Sequence, residues 1–251
     1  MDWNEVIEKR HTTFAWDEER IPSEELLLDI LSEVYQNIPS KNLMFSWQAR
    51  LLRNDDPEVR KRLMTICQRN AHMTMEEDRG NPQVLAPWLI GFNARWVGDL
   101  EKRWETESKR GELNGFGKNQ RRTGASDKLS ESEAISLSNG QTQNENIEIG
   151  IASAYIMLAM ANRGIQTGMC QNICNDYKYA EELFEVDDDE RGMDFRFIMG
   201  VGYGKDIETQ HEYYDPRIDK MKKIPFPPSI VEKVYPRPNM GNVIKVIKKG
   251  A

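Results

Sequence analysis

Residues 147–173 read IEIGIASAYIMLAMANRGIQTGMCQNI, and this stretch decides the fold. Apolar residues recur at helical spacing through Ile147, Ile151, Ala154, Tyr155, Leu158 and Ala161, with the small residues Gly150, Ala152, Ser153 and Ala159 between them. A helix so apolar, with small residues on its remaining sides, is predicted to be buried nearly all round. It is predicted to end at Gly164, because glycine takes the left-handed cap conformation without steric penalty.

Outward from this helix the chain alternates strand-like and helix-like stretches. Ser23, followed by Glu24 and Glu25, opens onto Leu26, Leu27, Ile30, Leu31 and Val34. A serine hydroxyl there can accept a free N–H of the first turn, so a helix is predicted to start at this point and to stop before Pro39. Compact apolar runs without helical spacing at 47–52, 86–92 and 193–203 predict strands, and 57–69 predicts a helix. The stretch 101–146 is rich in Lys, Arg, Glu, Ser, Gly, Asn and Gln and reads as a polar insertion, either a solvated linker or a lid. After Pro225, Pro227, Pro228, Pro236 and Pro238, the alternation of Val243, Lys245 and Ile247 predicts an arm that ends in a strand and wraps another surface. At 251 residues the chain can bury one sizeable core, so a single domain over 1–251 carrying that insertion is predicted.

Composition removes several classes of function. The formal net charge is −7, with Lys and Arg scattered rather than run together, which argues against a dedicated nucleic-acid binder. No apolar run approaches the roughly 18 residues that span a bilayer, and Met1-Asp2-Trp3-Asn4-Glu5 has neither a basic start nor an apolar signal core. A cytoplasmic protein with small-molecule partners, no nucleic acid and no membrane is therefore expected. Three cysteines make no disulfide framework, and Cys170 and Cys174 read as packing residues. His11, His72 and His211 stand in no metal-binding spacing, and neither a Gly-x-Ser-x-Gly elbow nor a Walker loop is present. Gly200-Val201-Gly202-Tyr203-Gly204 follows a strand without a clear helix after it, so it reads as a strand end with a tight turn.

Chemistry concentrates in Arg10-His11-Thr12-Thr13-Phe14-Ala15-Trp16-Asp17, where a guanidinium, two hydroxyls and loop amides form a donor set suited to a phosphate monoester. Three further segments follow in order. They are Ile38-Pro39-Ser40-Lys41-Asn42 with Trp47 behind it, Asn81-Pro82-Gln83-Val84-Leu85-Ala86-Pro87, and the apolar helix running into 164–173 with a later strand ending at Gly200-Val201-Gly202-Tyr203.

Together and in this order, the four segments resemble the oxygen-insensitive nitroreductase family of flavoproteins. The first is similar to the family's Arg-His-Ser-Thr phosphate segment and the second to its Pro-Ser-Ser-x-Asn-x-Gln-Pro-Trp. The resemblance implies an α+β fold with a central mixed β-sheet flanked by helices, an intertwined homodimer with a C-terminal arm, and one FMN per subunit at the interface. It implies hydride transfer from NAD(P)H through FMN to an electrophilic small molecule of nitroaromatic or quinone type. By the same resemblance, Arg10, His11 and Thr12 bind the FMN phosphate and ribityl chain, with Lys223, or the less well-aligned Lys222, as a late basic anchor. Pro39, Ser40 and Asn42 reach the flavin from the partner subunit, Asn81 and Gln83 face its pyrimidine edge, and Met169, Gln171 and Asn172 lie along its far side. This chain departs from the family's pattern at Phe14 and Gln83, where basic residues are usual, and over Leu43 to Ser46. A cation near the flavin N1 eases reduction, and Phe14 cannot supply one; Arg121 or Arg122 could compensate. Alternatives within the same fold are other flavin chemistry, such as reductive dehalogenation or flavin fragmentation, and a non-catalytic flavin-binding protein.

Overall fold

The structure of the protein, a computed structural model, describes residues 2–10, 12–40, 45, 47–67, 80–94, 131–170, 177–186, 195–205 and 212–223. Helix α1 (Trp3–Lys9) is closed at its start by a capping box between Asp2 and Glu5. Helix α2 (Glu24–Asn37) starts where the Ser23 hydroxyl accepts the Leu26 N–H at 3.2 Å, and buries Leu27, Ile30 and Val34. Strand β1 (Trp47–Arg53) and helix α3 (Pro57–Ile66) follow, the latter capped by the Asp56 carboxylate with proline in its first turn. A short 3-10 turn, Pro82–Leu85, leads into β2 (Trp88–Ala94). Then come α4 (Glu131–Asn162), β3 (Gln166–Cys170), α5 (Tyr177–Leu183), β4 (Phe195–Gly202) and the hairpin of β5 (Glu212–Asp215) and β6 (Lys220–Lys223).

Four strands form one sheet in the order β1-β2-β4-β3, every neighbouring pair antiparallel. The parallel component of the sheet comes from its β3 edge, where Thr12 bridges Thr167. Alternation along the strands divides the core between the two faces. Trp88, Ile90 and Phe92 of β2 and Met199 and Val201 of β4 meet Leu27, Ile30 and Val34 of α2 and Ile149, Ala152, Ile156 and Met160 of α4. Leu89 and Ile198 instead join Leu63 and Met64 of α3, Ala180 of α5, Phe184, Tyr213 of β5 and the segment Phe14, Ala15, Trp16. Between Phe92 and Asn93 the β2–β4 register slips, so Arg196 is the extra residue and Phe195 and Phe197 serve opposite faces. The fold is thus α+β, with helices on both sides of the sheet.

The central helix departs from its sequence reading in two ways. It begins at Glu131, so the last part of the polar stretch is helical; residues 101–130 and the proline-rich arm lie outside the described residues. Its buried residues include Glu148, Ile149, Ala152, Ser153, Ile156, Met160 and Ala161, whereas Ile147 is 61% and Tyr155 44% exposed. The helix carries two apolar faces, and the one turned to the sheet is that of Ile149, Ala152, Ile156 and Met160. Trp88 is buried in the core and its Nε1 donates to the Pro22 carbonyl at 2.9 Å, and Cys67 and Cys170 are buried and outside any disulfide.

Candidate functional site

Residues 12–17 run along the β3 edge and across the end of β4. The Thr13 N–H donates to the Thr167 carbonyl at 3.1 Å, the Asp17 N–H to the Tyr203 carbonyl at 2.8 Å, and the Lys205 N–H to the Ala15 carbonyl at 3.0 Å. Trp16 fastens the same segment to the 3-10 turn, its Nε1 donating to the Pro82 carbonyl at 3.1 Å. Gly168 sits where the two meet. A Cβ there would lie 2.6 Å from the Thr13 carbonyl oxygen and 2.9 Å from Gln83 Cγ, so only a glycine lets them close on β3. At Gly200 a Cβ would stand 2.1 Å from the Gln83 carbonyl oxygen, which pins the turn from the other side.

Three of the four segments singled out in the sequence therefore converge at one edge of the sheet. Arg10, at the C-terminal cap of α1, is half-buried and lines a cavity of about 250 Å3 together with Lys9, Gln166, Thr167 and Gly164. Thr12 is exposed beside it, and Thr13 is fully buried with its Oγ1 lacking a hydrogen-bond partner. Asn81 and Gln83 are buried next to this edge; the Asn81 side chain caps its own turn by accepting the Gln83 N–H at 3.2 Å. Met169 is half-buried on β3. Among these, Thr13, Gly168, Gln166 and Lys9 were not singled out as site residues. The available signals were the second threonine of the Thr12-Thr13 pair and a glycine inside a strand.

The remaining candidates sit elsewhere. Phe14 is 7% exposed and belongs to the apolar cluster with Trp16, Cys170 and Phe184. It lines a second cavity of about 500 Å3, under the β5–β6 hairpin, with Tyr213 and Met221. Lys222, on that hairpin, lies with its Nζ 3.4 Å from Asp215 Oδ2, while Lys223 is exposed. Pro39 and Ser40 stand at the end of α2, where Ser40 Oγ donates to Glu148 Oε1 at 3.1 Å and accepts the Phe45 N–H at 2.9 Å. His11, Asn42, Gln171 and Asn172 lie outside the described residues. Near the segment's end Arg20 hydrogen-bonds Asp17 at 2.7 Å and holds its carboxyl below the usual range, which keeps that carboxylate charged as a loop cap.

The donor set around Gly168 fits a phosphate-bearing cofactor. Arg10 lines the cavity beside Thr167, the exposed Thr12 bridges Thr167, and the buried Thr13 hydroxyl lacks a partner, a deficit worth about 1–3 kcal/mol. Among the described residues no group of three His, Cys, Asp or Glu side chains is arranged to hold a metal ion, and no helix is long and apolar enough to cross a membrane.

The architecture is that of an α+β protein with a helix-covered antiparallel sheet and a polar edge built from chain segments far apart in sequence. Its fold is the nitroreductase fold. No protein-family model and no curated protein matches the chain. Solved structures do match. A candidate NAD(P)H:FMN oxidoreductase of Staphylococcus epidermidis aligns over 98% of this chain and 96% of its own, with a TM-score of 0.57 and 13% identity. A nitroreductase family protein of Streptococcus pneumoniae aligns over 82% and 92%, with a TM-score of 0.53 and 18% identity. A candidate nitroreductase of Exiguobacterium sibiricum, solved in complex with FMN, aligns over 82% and 90%, with a TM-score of 0.52 and 18% identity.

Proposed function

We propose that the chain is an FMN-dependent oxidoreductase, working as a homodimer, that passes hydride from NAD(P)H to an electrophilic small molecule of the nitroaromatic or quinone type. The observation that carries this reading is the convergence of Thr12 and Thr13, with Arg10 just before them, Asn81–Gln83 and Gly168–Met169 at the β3 edge. When bound, FMN would supply the redox chemistry that links the hydride donor to the acceptor. Arg10 and Thr12 would hold the phosphate and ribityl chain, and Asn81 and Gln83 would face the pyrimidine edge. Met169 lies along the ring, and Pro39 and Ser40 complete the site of the partner subunit. The residues orient and enclose; none is required as a strong acid or base. An apolar stripe on α4 supports the dimer, since Ile147 and Tyr155 are exposed beside the half-buried Ile151, Ala154 and Leu158.

Phe14 favours a second reading, a flavin-binding protein that turns over nicotinamide poorly or not at all. Buried in the apolar cluster, it brings no positive charge to the ring, and a flavin without that charge is harder to reduce. An anaerobic absorbance titration with NADPH and then NADH separates the two. Bleaching of the flavin band, restored by a quinone, is expected for the oxidoreductase. A bound flavin that neither nicotinamide bleaches would favour the second reading.

A further inference from the structure

Glu148 lies on α4, 5% exposed, beside the core that α4 forms with the sheet. Burying a carboxylate is unfavourable unless it is hydrogen-bonded, and one donor it takes is the hydroxyl of Ser40, 108 residues away in sequence, at 3.1 Å. The same Oγ accepts the Phe45 N–H at 2.9 Å. A hydroxyl has a single hydrogen; with that hydrogen committed to Glu148, only lone pairs remain to face Phe45. Glu148 therefore fixes the direction of the Ser40 hydroxyl hydrogen, away from the Phe45 N–H. Phe45 needs that contact, because its φ of 47° lies in the left-handed region that bulky residues rarely adopt. Its ring is also held, at 4.8 Å from Tyr35 and 6.3 Å from Trp47. Strained backbone persists where its surroundings over-determine it, and such places cluster at ligand sites.

Resting on the reading of Pro39 and Ser40 as residues that complete the partner's flavin site, we propose that Glu148 is a positioning residue for that site. It acts through Ser40, holding residues 39 and 40 in the conformation the partner's FMN meets. No contact between Glu148 and the cofactor is involved.

The test is FMN affinity by fluorescence quenching, for wild type, Glu148→Ala, Ser40→Ala, the double variant and Glu148→Gln. Glu148→Ala and Ser40→Ala are each expected to raise the FMN Kd about tenfold, as for loss of one charge-assisted hydrogen bond. The double variant is expected to be no worse than either single, because both break one chain of contacts. Glu148→Gln keeps an acceptor oxygen for Ser40 and is expected to stay within about threefold of wild type; it folds on the same contacts should the alanine variant fail to. Mixed dimers of Arg10→Ala and Glu148→Ala subunits are expected to regain one tight FMN site per dimer, since one of their two sites then carries both Arg10 and Glu148. Wild-type affinity in Glu148→Ala, additive losses in the double variant, or loss in Glu148→Gln equal to that in alanine would overturn the proposal while leaving FMN binding intact. Absence of FMN binding in the wild type would overturn the functional reading and this inference with it.

Discussion

Arg10→Ala is expected to raise the FMN Kd between about tenfold and 150-fold, the equivalent of a charge-assisted phosphate contact of roughly 1.5–3 kcal/mol. The size follows from where Arg10 sits. It ends α1, its backbone N–H bonded to the Val6 carbonyl at 3.0 Å, and its half-buried side chain lines the cavity beside Thr167. A guanidinium in such a place is preorganised and partly shielded, so it contributes more than an exposed cation would. The change should leave riboflavin binding untouched, because riboflavin has no phosphate for Arg10 to hold. Equal losses for FMN and riboflavin would mean that Arg10 supports the fold around the ring, and unchanged FMN affinity would remove it from the site.

Asp215→Ala is expected to destabilise the protein by about 3–5 kcal/mol, the usual penalty for leaving one partner of a buried ion pair behind. Asp215 is fully buried, accepting from Arg217 Nε at 2.9 Å, Nη2 at 2.8 Å and the backbone N–H at 3.0 Å, with Lys222 Nζ at 3.4 Å. The Arg217 side chain is only 9% exposed, so the variant would take the carboxylate away from a nearly buried cation. The hairpin they pin packs Tyr213 into the cluster that holds Phe14, and Arg217 Nη2 would stand 3.0 Å from a Cβ at Gly80. Burial pushes the Asp215 carboxyl up, but hydrogen bonds from Arg217 and the charges of Arg217 and Lys222 pull further and leave it below the ordinary range. A carboxyl depressed on folding stabilises fully above its unfolded value, about 3.9, and that contribution is lost as pH falls through the lower folded value. In urea titrations the gap between wild type and Asp215→Ala is therefore expected to be full at pH 7 and to shrink below about pH 4. A gap absent at pH 7, or growing with acid, would show that the hairpin is not held this way.

Local chemistry in the sequence is strong where one residue decides an element. Ser23 predicts the start of α2 and Pro39 its end, and the apolar runs at 47–52, 86–92 and 193–203 mark β1, β2 and β4. It is weaker where tertiary contacts decide. Gln166-Thr167-Gly168-Met169-Cys170 has little strand propensity of its own and becomes β3 because β4 and the Thr12 segment pair with it. The β5–β6 hairpin is hidden by its charges, and its stability comes from Asp215 and Arg217 meeting in the buried interior. Periodicity shows that α4 is apolar on two sides; it does not show that Ile149, Ala152, Ile156 and Met160 turn to the sheet while Ile147 and Tyr155 stay outside.

The candidate site follows the same division. Arg10, Thr12, Asn81, Gln83 and Met169 are visible as members of ordered motifs, and they gather at one edge. Thr13 and Gly168 emerge only from the close approach of three chain segments, which spacing along the sequence does not encode. Phe14 stands in a motif position, yet its packing with Trp16 and Phe184 explains it without a ligand.

The most direct measurement is a fluorescence titration of the flavin-free protein with FMN, and in parallel with riboflavin. Saturable binding of one FMN per chain, with riboflavin at least tenfold weaker, is expected from a site anchored on the phosphate by Arg10 and Thr12. Failure to bind FMN, or equal affinity for the two flavins, would contradict it.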